Sequence, residues 1–302
     1  MTATAAPTGR ITVCGPFDLA ASARFLAGFT PAGRPDAAGE SGVLRLAFPV
    51  DEGGTSVGAV IRQRAPGTVE VEAYGPPGLA EAVTAQVRRI LSLDVDGTGF
   101  AGAGERDPVV GALQRERPGL RPVLFPSPYE AACWAVLSQR VRGSQAARIK
   151  RRLAEEYGKR VNVGGVELTA FPEPELLAGL CDFPGIPETK FERLCLVAKA
   201  AAEGELDAAR LRALPVEEAL ARLRLLPGVG PFSAELILIR GVGHPDVFPA
   251  SEGRLAEEMR QRYGRPDAGA AELAAIAEAW RPYRSWVSFL LRTAHEKGDT
   301  MV

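Results

Sequence analysis

The residues best suited to chemistry crowd into the second half of the chain, around "LRLLPGVGPFSAELILIRG". A helical run ends near Leu226, Pro-Gly-Val-Gly supplies a turn, and Pro231 stands at the first position of the next helix, where its missing N–H costs nothing. Gly228 and Gly230 carry no Cβ, so both are expected to take positive φ and to let another backbone approach. The amides of such a turn, with the positive end of the following helix, suit a phosphate group. An ordinary helical hairpin has the same short sequence, and the motif by itself leaves both readings open. A second feature lies upstream: residues 140 to 160 hold eight Lys/Arg against two acids. That is a local basic footprint, which for a polyanionic partner matters more than the total charge. A solvated helix face reads the same way residue by residue.

The elements that must position these groups divide the chain. Its 302 residues exceed one ordinary compact domain, and the formal net charge of -1 by itself argues neither for nor against nucleic acid. Up to residue 95, β-type runs ("RITVCGPF", "VLRLAFPV", "SVGAVIRQ", "TVEVEAY") flank two helical segments, Asp18 to Phe29 and Leu79 to Leu93. From Asp107 the β signal fades. Helices are expected at Tyr129–Leu137, Ser144–Tyr157, Pro174–Leu180, Glu188–Ala202, Val216–Leu225, Pro231–Arg240, Gly253–Tyr263, Ala270–Trp280 and Arg284–Glu296. The expected fold class is therefore α+β, with a small antiparallel-sheet α/β domain at 1–95 and an all-α domain at 96–302 whose hairpin occupies 216–240.

Cys14, Cys133, Cys181 and Cys195 are widely spaced, which suits buried free thiols rather than a zinc site or an iron–sulfur cluster. The opening "MTATAAPTGR" has no apolar leader core and no run reaches the ~20 apolar residues of a membrane span. A cytoplasmic monomer is expected.

From Leu223 to Leu255 the chain resembles the helix-hairpin-helix and Gly/Pro-Asp loop of DNA glycosylases, and specifically the bacterial 3-methyladenine DNA glycosylase II family. "YEAACWAVLSQRVRGSQAARIKRRLAEEYG", "FPEPELLAGL", "GIPETKFERL" and "AWRPYRSWVSFLLR" follow that family in order, and the first domain looks like its TBP-like N-terminal domain. The resemblance implies excision of a damaged, alkylated purine from double-stranded DNA in base excision repair, in a protein located at the nucleoid.

By ungapped register "DVFPASEGRL" places Glu252 where the family has its catalytic aspartate. A carboxylate there would stabilise the positive charge that builds on the sugar as the N-glycosidic bond breaks. The extra methylene displaces its oxygens, and the other reading is that Glu252 caps or solvates the helix beginning near Gly253. Ser251 either positions a water or caps that helix, and Asp246 reads as structural. Phe232, Leu236 and Arg292 match the family's base-pocket positions, where relatives carry Trp and Tyr; Trp134, Trp280, Tyr283, Trp286 and Phe289 are further candidates for a stacking surface. Arg140, beside Gln139, matches the residue that fills the gap left by an extruded base. Gly228, Val229, Gly230 and Ser233 match the hairpin's DNA contacts, and the backbone carbonyls of Arg224, Leu226 and Val229 match those that hold Na+ or K+ when DNA is bound. Phe232 stands where lyase members carry lysine, so the resemblance implies hydrolysis without a Schiff base and without an iron–sulfur cofactor. Glu252 and the thinned aromatic cage also allow an alternative: a weakened or inactive DNA-damage-binding homologue.

Overall fold

The computed structural model describes residues 9–32 and 42–298; most of the opening segment read for a leader lies outside them. Strands β1 (Gly9–Thr12), β2 (Val43–Pro49), β3 (Ser56–Ala65) and β4 (Thr68–Tyr74) form one antiparallel sheet in the order β1-β4-β3-β2, with helices α1 (Leu19–Gly28) and α2 (Ala80–Ile90). Alternation in the sequence drives the layering. Leu44, Leu46 and Phe48 of β2 and Val69 and Val71 of β4 are buried with Leu19 and Leu26 of α1 and Val83, Val87 and Ile90 of α2. Asp18 opens α1 by accepting a hydrogen bond from the Ala20 amide at 2.9 Å.

The remainder is mostly helical: α3 (Phe100–Arg106), α4 (Pro108–Glu116), α5 (Pro128–Leu137) and α6 (Gly143–Tyr157) precede a short hairpin of β5 (Arg160–Val163) and β6 (Val166–Thr169). Then come α7 (Pro174–Ala178), α8 (Glu188–Ala202), α9 (Ala208–Ala213), α10 (Val216–Leu223) and α11 (Pro231–Leu236). Helix α11 runs into a π-helical segment, Ile237–Val242, that stops at Gly243 with φ +83°. The chain closes with α12 (Gly253–Arg262), α13 (Ala270–Ala277) and α14 (Arg284–Gly298).

The expectation that strands cease after Asp107 is corrected by β5 and β6. Val163 and Leu168 cover Val60 and Tyr74 of the first sheet, and a Cβ on Gly58 would lie 2.3 Å from Val163 Cγ2. Glycine is what permits this close packing. The helical part has two apolar cores, one around the wholly buried α5 and one joining α4 with α12, α13 and α14. Sheet and helices are tied by polar bridges: Arg89 donates to the carbonyls of Gly241 and Pro126 at 2.5 and 2.7 Å and to Asp51 at 2.6 Å. Lys150 pairs with Glu130 at 2.5 Å and donates to the Pro31 carbonyl at 3.0 Å. Cys133 is the buried thiol; Cys14 and Cys181 are exposed and Cys195 is intermediate, which corrects the uniform burial expected of them.

Candidate functional site

Helix α10 ends in tight turns, with the Leu226 amide donating to Leu223 and the Val229 amide donating to Leu226 at 3.0 Å. Gly228 has φ +85°, and a Cβ there would sit 2.8 Å from Arg193 Cδ. Gly230 corrects the expectation of a second left-handed residue. It is extended, φ -89° and ψ -174°, and its Cβ direction meets open space. Its bareness therefore faces outward, where a ligand backbone could approach. Val229 is buried in the α5 core, while Leu225 is 82 % exposed and Phe232 43 % exposed beside it.

The loop after α5 leans on this hairpin. Gln139 Nε2 donates to the Gly228 carbonyl at 2.6 Å. Lys190 of α8 donates to the carbonyls of Leu137 and Gln139 at 3.1 and 2.8 Å, and burial, then the neighbouring Arg193, lowers its pKa. With Gln139 turned inward, Arg140 is left exposed with φ +56°, a conformation a non-glycine residue adopts at a cost of roughly 1–2 kcal/mol. Strain held by this bracing makes the loop a candidate for function. The basic run beyond it is less uniform than its sequence: Lys150 is buried in its pair with Glu130, Arg151 pairs with Glu155, and Arg152 lies over Phe183.

A cleft of about 800 Å³ opens between α1, α5, α11 and α14. Phe29, Phe125, Trp134, Phe232, Leu236 and Phe289 give it apolar and aromatic walls, and Glu235, Ser251, Glu252, Arg254 and Arg292 give it polar ones. Glu252 and Arg292 come together there, Oε1 to Nε 3.8 Å, both about one-fifth exposed. Glu252 occupies the backbone cap position of α12 with φ -86° and ψ 96°, yet its side chain makes no capping hydrogen bond. Its carboxylate is thus directed to the cleft rather than to the helix end.

The residue before it is clamped. The Ser251 amide and hydroxyl donate to the two oxygens of Glu235 at 3.0 and 3.2 Å. The sequence reading passed over Glu235 because it sits on an apolar-looking helix. Burial raises the Glu235 pKa; the Ser251 bonds and Arg224 oppose that shift, and Glu252 reinforces it.

Two tryptophans expected at the pocket do not reach it. Trp280 is fully buried and donates to Asp107 Oδ2 at 2.8 Å, and Asp107 also accepts from Tyr263 at 2.5 Å. Trp286 packs between Phe100 and Tyr283 with the Arg121 guanidinium 5.2 Å from its ring centre. Both are core. Ser233, expected at the DNA contact, is 7 % exposed. Asp246 is structural as read, held by Arg281 and Arg284 at 2.8 and 2.9 Å.

No protein-family model matches the sequence. A DNA-3-methyladenine glycosylase of Bacillus subtilis is 28% identical over 218 residues, 70% of this chain and 71% of the relative. DNA-3-methyladenine glycosylase 2 of Escherichia coli is 32% identical over 183 residues, 59% of this chain and 61% of the relative. The probable bifunctional transcriptional activator/DNA repair enzyme AlkA of Mycobacterium tuberculosis is 36% identical over 219 residues, but the match spans only 42% of that longer protein. Among solved structures, the 3-methyladenine DNA-glycosylase of Archaeoglobus fulgidus superposes with a TM-score of 0.78 at 22% identity, over 95% of this chain and 98% of the other. By sequence this chain is similar to DNA-3-methyladenine glycosylases, and it shares their fold. An 8-oxoguanine glycosylase/lyase of Clostridium acetobutylicum, solved on double-stranded DNA, shares the fold at a TM-score of 0.59 and 18% identity over 82% of this chain and 87% of the other. The hairpin, the Arg140 loop and the Glu252 cleft sit on a fold shared with that protein.

Proposed function

We propose that this chain is a monofunctional, monomeric DNA glycosylase that releases a damaged, alkylated purine from double-stranded DNA. The observation that carries the reading is the carboxylate of Glu252 in an aromatic-walled cleft that shares its lining with the helix after the hairpin. The hairpin would grip a phosphate through its amides. Arg140 would enter the duplex where the flipped nucleotide leaves, its planar guanidinium able to stack on neighbouring bases. Trp134, Phe29 and Phe232 offer faces for the extruded base.

As the C1′–N bond breaks, its electron pair leaves with the base and positive charge grows on the sugar, which Glu252 would stabilise. Water then adds to C1′ and gives its proton to the carboxylate or to solvent. A base that is already cationic departs without a general acid. Phe232, aromatic where a Schiff-base lysine would be needed, supports hydrolysis without lyase chemistry. The carbonyls of Arg224, Leu226 and Val229 are neutral oxygen donors of the kind alkali cations take. The Leu226 oxygen already accepts from Val229 at 3.0 Å and would offer its second lone pair.

The test is single-turnover release of free base from duplexes carrying 3-methyladenine, 7-methylguanine, hypoxanthine, 1,N6-ethenoadenine or uracil, wild type beside Glu252→Gln. Release of an alkylated purine, at least ~100-fold slower in the variant with duplex affinity retained, is expected. Tight binding with no release by the wild type would sink the reading in favour of a DNA-damage binder.

A further inference from the structure

The clamp on the loop before Glu252 has no counterpart in the mechanism so far. Glu235 lies on α11, one turn beyond the hairpin, and is 7 % exposed. Burying a carboxylate is costly unless its oxygens are hydrogen-bonded, and here both are used on a single residue, Ser251, through its amide and its hydroxyl. Ser251 itself is exposed, so little apolar packing fixes it. The loop is otherwise held by two short-range backbone bonds, the Ala250 amide donating to the Phe248 carbonyl at 2.9 Å and the Glu252 amide to the Pro249 carbonyl at 3.1 Å. The helix that carries the phosphate-facing hairpin is thereby coupled by two bonds to the residue preceding the carboxylate at the sugar.

On the reading of this cleft as a glycosylase site, we propose that Glu235 is a positioning residue: its ionised carboxylate, through Ser251, fixes the place of Glu252 relative to the DNA-gripping helix. Two further details agree. First, α11 passes directly into the π-helical segment at Ile237, and π-bulges commonly mark functional sites, where they re-aim side chains. Second, the charges acting on Glu235 are Arg224 after α10 and Glu252 at the start of α12, while Arg254 of α12, Arg240 of the π segment and Arg292 of α14 line the same cleft. Like charge at Glu252 would favour neutralising Glu235, and the Ser251 donors, with Arg224, oppose it. Protonation would cost Glu235 one of its two acceptor roles, so the clamp opens as pH falls.

Glu235→Gln is nearly isosteric but carries no charge and keeps one accepting oxygen, so it cannot accept from both Ser251 donors at once. The experiment measures single-turnover base release against pH on a duplex carrying 7-methylguanine, for wild type, Glu235→Gln, Ser251→Ala and the double variant, with duplex affinity and melting temperature recorded. Glu235→Gln is expected to slow release 10- to 100-fold while duplex affinity stays within about twofold. The wild-type rate is expected to fall on the acid side through a titration above the ordinary carboxylate range, and Glu235→Gln to lack that limb. Ser251→Ala, which keeps the backbone donor, is expected to lose less, and the double variant no more than Glu235→Gln alone, since both act through one clamp. An unchanged rate in Glu235→Gln, or a double variant whose losses simply multiply, overturns the proposal while leaving the glycosylase reading intact. No release by wild type from any lesion overturns both. Should Glu235→Gln fail to fold, Ser251→Ala at a surface position decides: an unchanged rate and acid limb there count against the clamp.

Discussion

A glutamate where the family resemblance implies an aspartate changes reach before it changes charge. The Glu252 carboxylate lies 3.8 Å from Arg292 on α14, and its backbone is pinned by the turn from Pro249. Shortening it to aspartate would draw the oxygens back by more than an ångström, away from Arg292 and from any sugar placed for glutamate. Glu252→Asp is therefore expected to release base about 100-fold more slowly than wild type, although it introduces the residue that the resemblance implies. Single-turnover kinetics on the best lesion of the panel check this, and a faster variant would mean that the cleft is shaped for the shorter side chain. At this scale register gathered residues that share a cleft, although Ser233, placed by the same register, is buried. Glu252, Arg292, Phe232 and Leu236 were read as one site and do line one cleft. Aromatic residues read from helical spacing fared differently. Trp134 and Phe289 face the cleft, whereas Trp280 and Trp286 point into the core. Spacing shows that aromatics share a helix face; it does not say what that face meets. Glu235 was invisible for a related reason, because its partner Ser251 is brought to it only by the fold.

Helix ends and turns carry more local information. Pro231 and the glycine pair marked the hairpin because each residue has a conformational cost elsewhere. The structure then separates their duties, with Gly228 bending the chain and Gly230 leaving a surface bare. Alanine at Gly228 would be held at φ +85° against Arg193, and the left-handed region costs an L-residue about 1–2 kcal/mol. Gly228→Ala is expected to lower the melting temperature and to displace the carbonyl that receives Gln139, loosening the Arg140 loop along with the hairpin. Duplex affinity should then drop by a similar factor on damaged and undamaged DNA, as measured by fluorescence anisotropy over a salt series. A loss confined to damaged DNA would place the defect in the cleft instead. By contrast, β5 and β6 escaped the reading. At four residues each they are too short to establish alternation; Gly164 and Gly165, both at positive φ, close the hairpin, and the bare backbone of Gly58 on a distant strand lets it pack there.

Across the whole molecule, the sheet and the helices are joined by buried polar bridges as well as by apolar contact, and these set how far the cleft can depend on the N-terminal layer. Phe29 of that layer forms part of the cleft wall, and Phe25 meets Phe289 of α14 with ring centres 4.8 Å apart. Arg89 supplies the polar counterpart: three hydrogen bonds from α2 to Asp51, Pro126 and Gly241, the last in the π segment that continues α11. Arg89→Met would fill much of the same volume but leave Asp51, whose pKa burial already raises, without its neutralising partner. Arg89 is buried, but Asp51 keeps about a quarter of its side chain exposed, so the cost comes mainly from the Pro126 and Gly241 carbonyls that lose a donor, about 1–3 kcal/mol each. Arg89→Met is accordingly expected to reduce stability by at least ~2 kcal/mol in urea unfolding. Because the π segment loses its tether, base release by the folded fraction should slow more than duplex binding does. If stability fell while release per folded molecule stayed at the wild-type rate, Arg89 would be a structural bolt alone, and the N-terminal layer would contribute to the cleft only through its aromatic wall.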